Sequence, residues 1–191
     1  MPGELAVLDP FVGMTQGFWQ DNERYLATYW EAIPDVWVHG DLALREDDGT
    51  VFLLGRSDDT LMIAGKRVGP SEVEEVATSL AEVEEAAAIG VDDAAKGEAL
   101  VVFVVLAAGA DGAGLREAII AAVVRDLGRP FAPKEVFVVA DLPRTRSGKV
   151  MRRVVRSVAT GRDAGDLSSL ANPEAVEEIR AVVGLPRGAA M

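Results

Sequence analysis

From residue 71 onward the spacing of apolar residues switches repeatedly between helical and extended, and the order of the switches restricts the fold to a small class. Ser71-Glu-Val-Glu74 has capping-box spacing, and Val73, Val76, Ala77 and Leu80 follow at helical intervals, so a helix begins there. Residues 86–91 and 100–106 read as strands, 115–127 as a helix stopped by Gly128, and 135–140 as a third strand. A helical pattern returns at Lys149. The order α, β, β, α, β, α predicts a compact α+β domain of about 100 residues, with helices packed on a roughly three-stranded sheet. Residues 161–171 then read as loop, and Asn172-Pro173 would cap and open a last helix ending before Gly184 and Pro186.

The first third is different in kind. Residues 36–44 and 51–54 are extended runs joined by Asp47-Asp-Gly49, a hairpin signal. Residues 11–30 hold two of the three tryptophans and both tyrosines but close no unit of their own, as expected of part of something larger. The expected organisation is therefore an incomplete β-rich piece over 1–57, the α+β domain over 58–160, and a loop with a terminal helix over 161–191.

Composition narrows the function classes. A chain that is 49% hydrophobic and 26% charged has enough apolar surface for a packed core. Its net charge of −12 repels nucleic acid and anionic membrane surfaces, and neither is an expected partner. The longest apolar stretch, 99–108, is well short of the roughly 20 residues of a membrane span, and Met1-Pro-Gly-Glu4 lacks a basic start, so a cytoplasmic location is expected. With no cysteine and one histidine, His39, the sequence excludes thiolate and multi-histidine metal sites, and no metal ligand set is expected.

Against that acidic background, residues 144–156 hold Arg144, Arg146, Lys149, Arg152, Arg153 and Arg156 without one acidic residue. At about 100° per residue, Lys149, Arg152, Arg153 and Arg156 share one helical face while Met151, Val154, Val155 and Val158 share the other. A helix docked by its valines would present a cationic face, either solvated and ion-paired or used for docking a partner. Lys149 stands apart. It follows Ser147-Gly148 at the expected helix start, where the peptide dipole favours anions, so local stability does not select a lysine there. A flexible turn with a lysine at its tip suits contact with a phosphate or carboxylate. Neither Gly65-Lys66 nor Gly148-Lys149 belongs to a phosphate-binding P-loop, because the flanking positions fail, and residues 109–114 fail the dinucleotide fingerprint.

Three stretches together resemble the adenylate-forming superfamily, specifically its acetyl-CoA synthetase-like acyl-CoA ligases. They are Val38-His-Gly-Asp41-Leu, the run from Gly55-Arg-Ser-Asp-Asp-Thr through Gly65-Lys-Arg-Val to Glu74, and Leu142-Pro-Arg-Thr-Arg-Ser-Gly-Lys-Val-Met-Arg-Arg153. The resemblance implies the end of a large AMP-binding domain followed by a C-terminal lid domain. It implies an acid–CoA ligase that uses Mg-ATP to form acyl-AMP, from which CoA displaces AMP, with Mg2+ held by the large domain.

In that likeness Lys149 is the catalytic residue of adenylation. Asp41 and Arg56 hold the nucleotide, Asp58 is the hinge, and Gly65 lines the channel to the CoA thiol. Arg67 is a phosphate contact and Arg125, with its register about one residue off, contacts CoA. Met62 stands where relatives carry a polar residue, and His39 is read as structural. The family's phosphate loop and acyl pocket match nothing in the chain. The implied partners are ATP or AMP, CoA, a small carboxylic acid, a separate N-terminal AMP-binding domain, and a lysine acyltransferase acting on Lys149. The competing reading is a non-catalytic binding or regulatory module that docks through the basic helix.

Overall fold

The computed structural model describes residues 3–184 and divides into two compact units between Thr60 and Leu61. In the first, β1 (Gly3–Val7), β2 (Trp37–Arg45) and β3 (Val51–Arg56) form an antiparallel sheet in that order. The β2–β3 hairpin turns where Asp47-Asp-Gly49 placed it, with Asp48 Oδ1 accepting the Thr50 N–H at 2.8 Å. Residues 11–30 are not simply turns: they contain helix α1 (Asn22–Tyr29), opened by Asp21, whose Oδ1 accepts the Arg24 N–H at 3.2 Å. Rings hold it in place. Tyr29 stacks on Trp37 at 4.7 Å, Phe18 meets Tyr25 and Tyr29 edge-on at 5.8 Å, and the Tyr25 hydroxyl donates to the Thr15 carbonyl at 2.8 Å. Such ring pairs add about 0.5–1.5 kcal/mol each beyond area burial. A helix anchored by its two tyrosines in a cluster of four rings carries no aliphatic period, which is why its sequence did not announce it.

The second unit is a sheet between two helix layers. Its strands are β4 (Leu61–Ile63), β5 (Lys66–Val68), β6 (Val83–Asp93), β7 (Gly97–Leu106) and β8 (Glu135–Val139). The path runs β5-β4-β7-β6, and β8 pairs parallel with β7. The three expected strands are all present. The sheet has five because residues 61–68 form a hairpin too short for an alternation signal, turning through Ala64 and Gly65 at φ +51° and +76°.

Along β7 the period of two divides the core. Leu100, Val102 and Val104 pack with Val73 and Ala77 of α2 (Pro70–Thr78) and with Ile119 and Val123 of α3 (Leu115–Asp126). Val101 and Phe103 face the other way, toward Val154, Val155 and Val158 of α4 (Arg152–Ala159) and Val176 and Ile179 of α5 (Pro173–Val182). A strand covered on both faces must be apolar at every position, hence the unbroken run in β7. Each fully buried aliphatic or Phe side chain contributes about 1.5–3 kcal/mol to burial.

Two local expectations are corrected. Helix α2 is capped two residues earlier than Ser71-Glu-Val-Glu74 suggests: Glu72 Oε1 accepts the Gly69 N–H at 2.9 Å, and Pro70 opens the helix. That register frees Glu74 for other partners. Helix α4 begins at Arg152 rather than Lys149, because the Lys149 carbonyl accepts the Thr145 N–H at 2.9 Å and Val150 bridges Arg144, which commits residues 144–150 to a closed turn. The last helix starts at Pro173 and ends at Val182, before Gly184; Pro186 lies outside the described residues.

Candidate functional site

The cationic segment resolves into two populations. Arg144 makes ion pairs with Glu85 at 2.8 Å and with Asp141; Arg152 pairs with Glu74. Arg156 pairs with Glu98 at 2.7 Å, and Arg153 donates to the carbonyls of Ala164 and Asp166. The arginines of α4 are thus consumed inside the unit, as the ion-paired alternative expected, rather than left as a docking face. Arg146 and Lys149 remain exposed, with no ion-pair partner among the described residues.

Lys149 sits at the end of a turn built for its backbone. Gly148, at φ +85°, donates its N–H to the Thr145 carbonyl at 2.8 Å. Thr145 Oγ1 accepts the Lys149 N–H at 3.1 Å and lies 2.9 Å from Ser147 Oγ. Nothing occupies the space where a Cβ on Gly148 would be, so glycine is required there for its conformation rather than for room. The Met151 N–H closes the base of the loop on the Pro143 carbonyl at 2.7 Å. The ammonium is therefore presented on a fixed backbone, without a counter-ion.

The foot of this turn is electrostatically tuned. Burial pushes the Asp141 carboxyl up, but hydrogen bonds from Arg144, Asn172 and the Leu142 N–H outweigh it and hold it below the usual carboxylate range. Arg144, bonded to Glu85 and Asp141, is raised. A carboxylate depressed in the folded state stabilises above its ordinary value of about 4, and that stabilisation is lost as pH falls through the lowered value. Protection of the Thr145, Gly148 and Met151 amides, taken relative to their intrinsic exchange rates, is accordingly expected to hold down to about pH 4 and to fall below it. Protection that begins to fall near neutrality would contradict this assignment.

The Gly65 hairpin stands elsewhere in the unit. Arg67 lies across from Met62 on β5, exposed and without an ion-pair partner among the described residues, and the Met62 N–H is taken by Glu98 at 2.8 Å. A Cβ on Gly65 would meet nothing within 4 Å, so a ligand can approach the backbone closely. This hairpin joins the Gly97 end of β7, whereas Arg144, at the foot of the Lys149 turn, is bound to Glu85 opposite Val105. At about 3.3 Å per residue, roughly 25 Å of strand separates these anchor points. Arg125, at the last turn of α3, is paired through both Nε and an Nη with Asp126 at 2.6 Å, and the carboxylate raises it.

In the first unit Asp41, Arg56 and Asp58 come together. Arg56 is cross-strand from Asp41, donates to both Asp58 oxygens at 2.9 and 3.0 Å, and places Nη1 3.6 Å from Asp41 Oδ1. The Asp58 contact raises Arg56 and lowers Asp58. His39 Nδ1 lies 2.7 Å from Asp41 Oδ2 without the alignment of a hydrogen bond. Gly40, at φ +85°, makes the arrangement possible: a Cβ there would stand 2.8 Å from an Arg56 nitrogen. Asp58 itself lies in the turn just before the division between the units.

Residues 72–149 match the family described as the AMP-binding enzyme C-terminal domain. The chain contains this domain. Over 179 residues it is 42% identical to an acetyl-coenzyme A synthetase of Pyrobaculum aerophilum, covering 93% of this chain and 27% of that protein. It is 43% identical over 188 residues to the acetyl-coenzyme A synthetase of Methanothrix soehngenii, covering 95% and 28%. Among solved structures, acetoacetyl-CoA synthetase from Streptomyces lividans superposes with a TM-score of 0.83 at 30% identity, covering 96% of this chain and 28% of that one. The chain thus spans a little over a quarter of the length of these relatives. The AMP-binding C-terminal domain is of the α+β class expected from the sequence, and its matched span ends on Lys149.

The partners that hold the Lys149 turn, Glu85, Asp141 and Asn172, escaped the sequence reading. No periodicity marks a polar residue that points inward, and Glu85 and Asn172 are 87 positions apart. The excess of arginine over lysine in residues 144–156 was the available signal, because guanidinium groups suit bidentate, partly buried pairing.

Proposed function

We propose that this chain is the C-terminal lid part of an ATP-dependent, AMP-forming carboxylate–CoA ligase, with residues 1–57 closing the large AMP-binding domain and 58–160 forming the lid. The observation that carries this reading is Lys149: Arg144, Arg152 and Arg156 around it are ion-paired within the unit, while its ammonium is held out at the end of a hydrogen-bonded turn. Such a group stabilises the charge that develops as a carboxylate attacks the α-phosphate of ATP. Asp41 accepts the ribose hydroxyls, as a carboxylate with two acceptor oxygens does well, and Arg56 contacts the nucleotide beside it. Asp58 is the hinge. Gly65 lets the CoA thiol arm pass close to the backbone, Arg67 contacts a phosphate of the nucleotide, and Arg125 contacts CoA.

The wide separation of the Lys149 and Gly65 anchor points supports two steps served by opposite ends of one sheet. Mg2+ would be held through the large domain. The names of the relatives point to a short carboxylate such as acetate as substrate. No described helix is long and apolar enough to cross a membrane, which accords with cytoplasmic work on ATP and CoA. The exposure of Lys149 also suits regulation by a lysine acyltransferase, which would remove its charge.

The test is complementation. Mixed with a separately produced large AMP-binding domain of such a ligase, the 191-residue chain is expected to restore acetyl-CoA formation with release of AMP. A mixture that forms no more AMP than the large domain alone contradicts the reading.

A further inference from the structure

We infer that Asn172 is a positioning residue for Lys149, and that residues 170–172, beyond the matched domain, are the buttress of the catalytic turn. The inference rests on the reading of Lys149 given above. Among the described residues Asn172 is the one buried polar side chain, 7% exposed. It stands at the cap position of α5 yet does not cap that helix. Its Oδ1 accepts the Arg144 N–H at 2.9 Å, and its Nδ2 donates to Asp141 Oδ2 at 2.7 Å and to the Leu142 carbonyl at 2.9 Å. Asparagine is a preferred cap, so a buried one turned away from its own helix is spent on another task.

That task is to hold Arg144. The Ala171 N–H takes the Arg144 carbonyl at 2.9 Å, and Leu170 bridges Thr145. Both backbone groups of Arg144 are thus fixed by residues 171 and 172, and its guanidinium by Glu85 and Asp141. Thr145, the next residue, carries Lys149 through two hydrogen bonds, one from its own N–H and one to its Oγ1. The path from Asn172 to Lys149 is therefore continuous, while the Lys149 side chain has no hydrogen-bond or ion-pair partner among the described residues. A charge that must meet a transition state depends on such support, since small misplacements are costly.

Asn172→Ala and Asp141→Asn are the informative variants; the second side chain is only partly buried, so it leaves the fold intact if the first does not. In the full chain, amide exchange at Thr145, Gly148 and Lys149 is expected to quicken at least tenfold in Asn172→Ala and less in Asp141→Asn, with β6 and β7 unchanged. In the complemented enzyme, Asn172→Ala should lower kcat for adenylation without changing KM for ATP or the rate of thioester formation from supplied acyl-adenylate. It should cost nothing further in a Lys149→Ala background. Unchanged exchange in the turn, or a loss that adds in full to that of Lys149→Ala, overturns the positioning role. If instead Lys149→Ala itself leaves adenylation intact, the reading of Lys149 fails, and the exchange data still decide whether Asn172 orders the turn.

Discussion

Lys149→Ala is expected to slow acyl-adenylate formation about a thousandfold while leaving thioester formation from supplied acyl-adenylate unchanged. The figure follows from the environment. A charge-assisted contact about 4 kcal/mol stronger in the transition state than in the ground state corresponds to about three powers of ten in rate. Arg144, Arg152 and Arg156 cannot substitute, because each is already bound to a carboxylate within the unit. Arg146 is the one nearby cation among the described residues that is similarly unengaged, and it stands within the turn rather than at its end. Lys149→Arg is expected to recover little, since a planar fork does not place its charge where a compact ammonium does. Isotope exchange between pyrophosphate and ATP in the complemented enzyme reads adenylation alone, and AMP release from acyl-adenylate reads the second step. Equal losses in both steps would mean that Lys149 serves folding or domain association rather than chemistry.

How far the sequence carried can be seen from β7 and α1. Strand β7 was legible because burial on both faces writes itself as an unbroken apolar run, and α2 and α3 were legible because each buries one stripe. Helix α1 was not, because a cluster of four rings anchors it and rings impose no period. The β4–β5 hairpin escaped because three-residue strands cannot display alternation. The site divided in the same way. Lys149 was conspicuous as a lysine in an unfavourable local position, a property of neighbouring residues. Its placement at a helix start was wrong by three residues, because the turn that displaces the helix is closed by Thr145 and by contacts from residues 170–172. For α4 the sequence allowed either an ion-paired or a docking face; the choice required knowing where Glu74 and Glu98 lie, and their distance along the chain hides that.

Glu74 carries the second large expectation. It leaves α2 on one face of the sheet and meets Arg152 of α4, which packs on the other, so the pair spans the edge strand β6. Its Oε1 also accepts the Ala88 N–H at 2.9 Å, an outward-facing donor on that edge. The carboxylate is 13% exposed and the guanidinium 25%. Removing Glu74 takes the bidentate carboxylate from Arg152 and leaves the Ala88 donor without its acceptor, and Glu74→Ala is expected to destabilise the unit by about 3 kcal/mol. Replacing both, as Glu74→Met with Arg152→Met, removes the charge along with its counter-charge and should recover part of the loss, because an apolar pair of similar volume needs no counter-ion. Denaturant midpoints for the two single variants and the double variant, compared at equal slope, decide the matter. A double variant as unstable as the sum of the singles would mean that each residue is held by other contacts, and that the two helix layers are joined through the sheet core rather than across its edge.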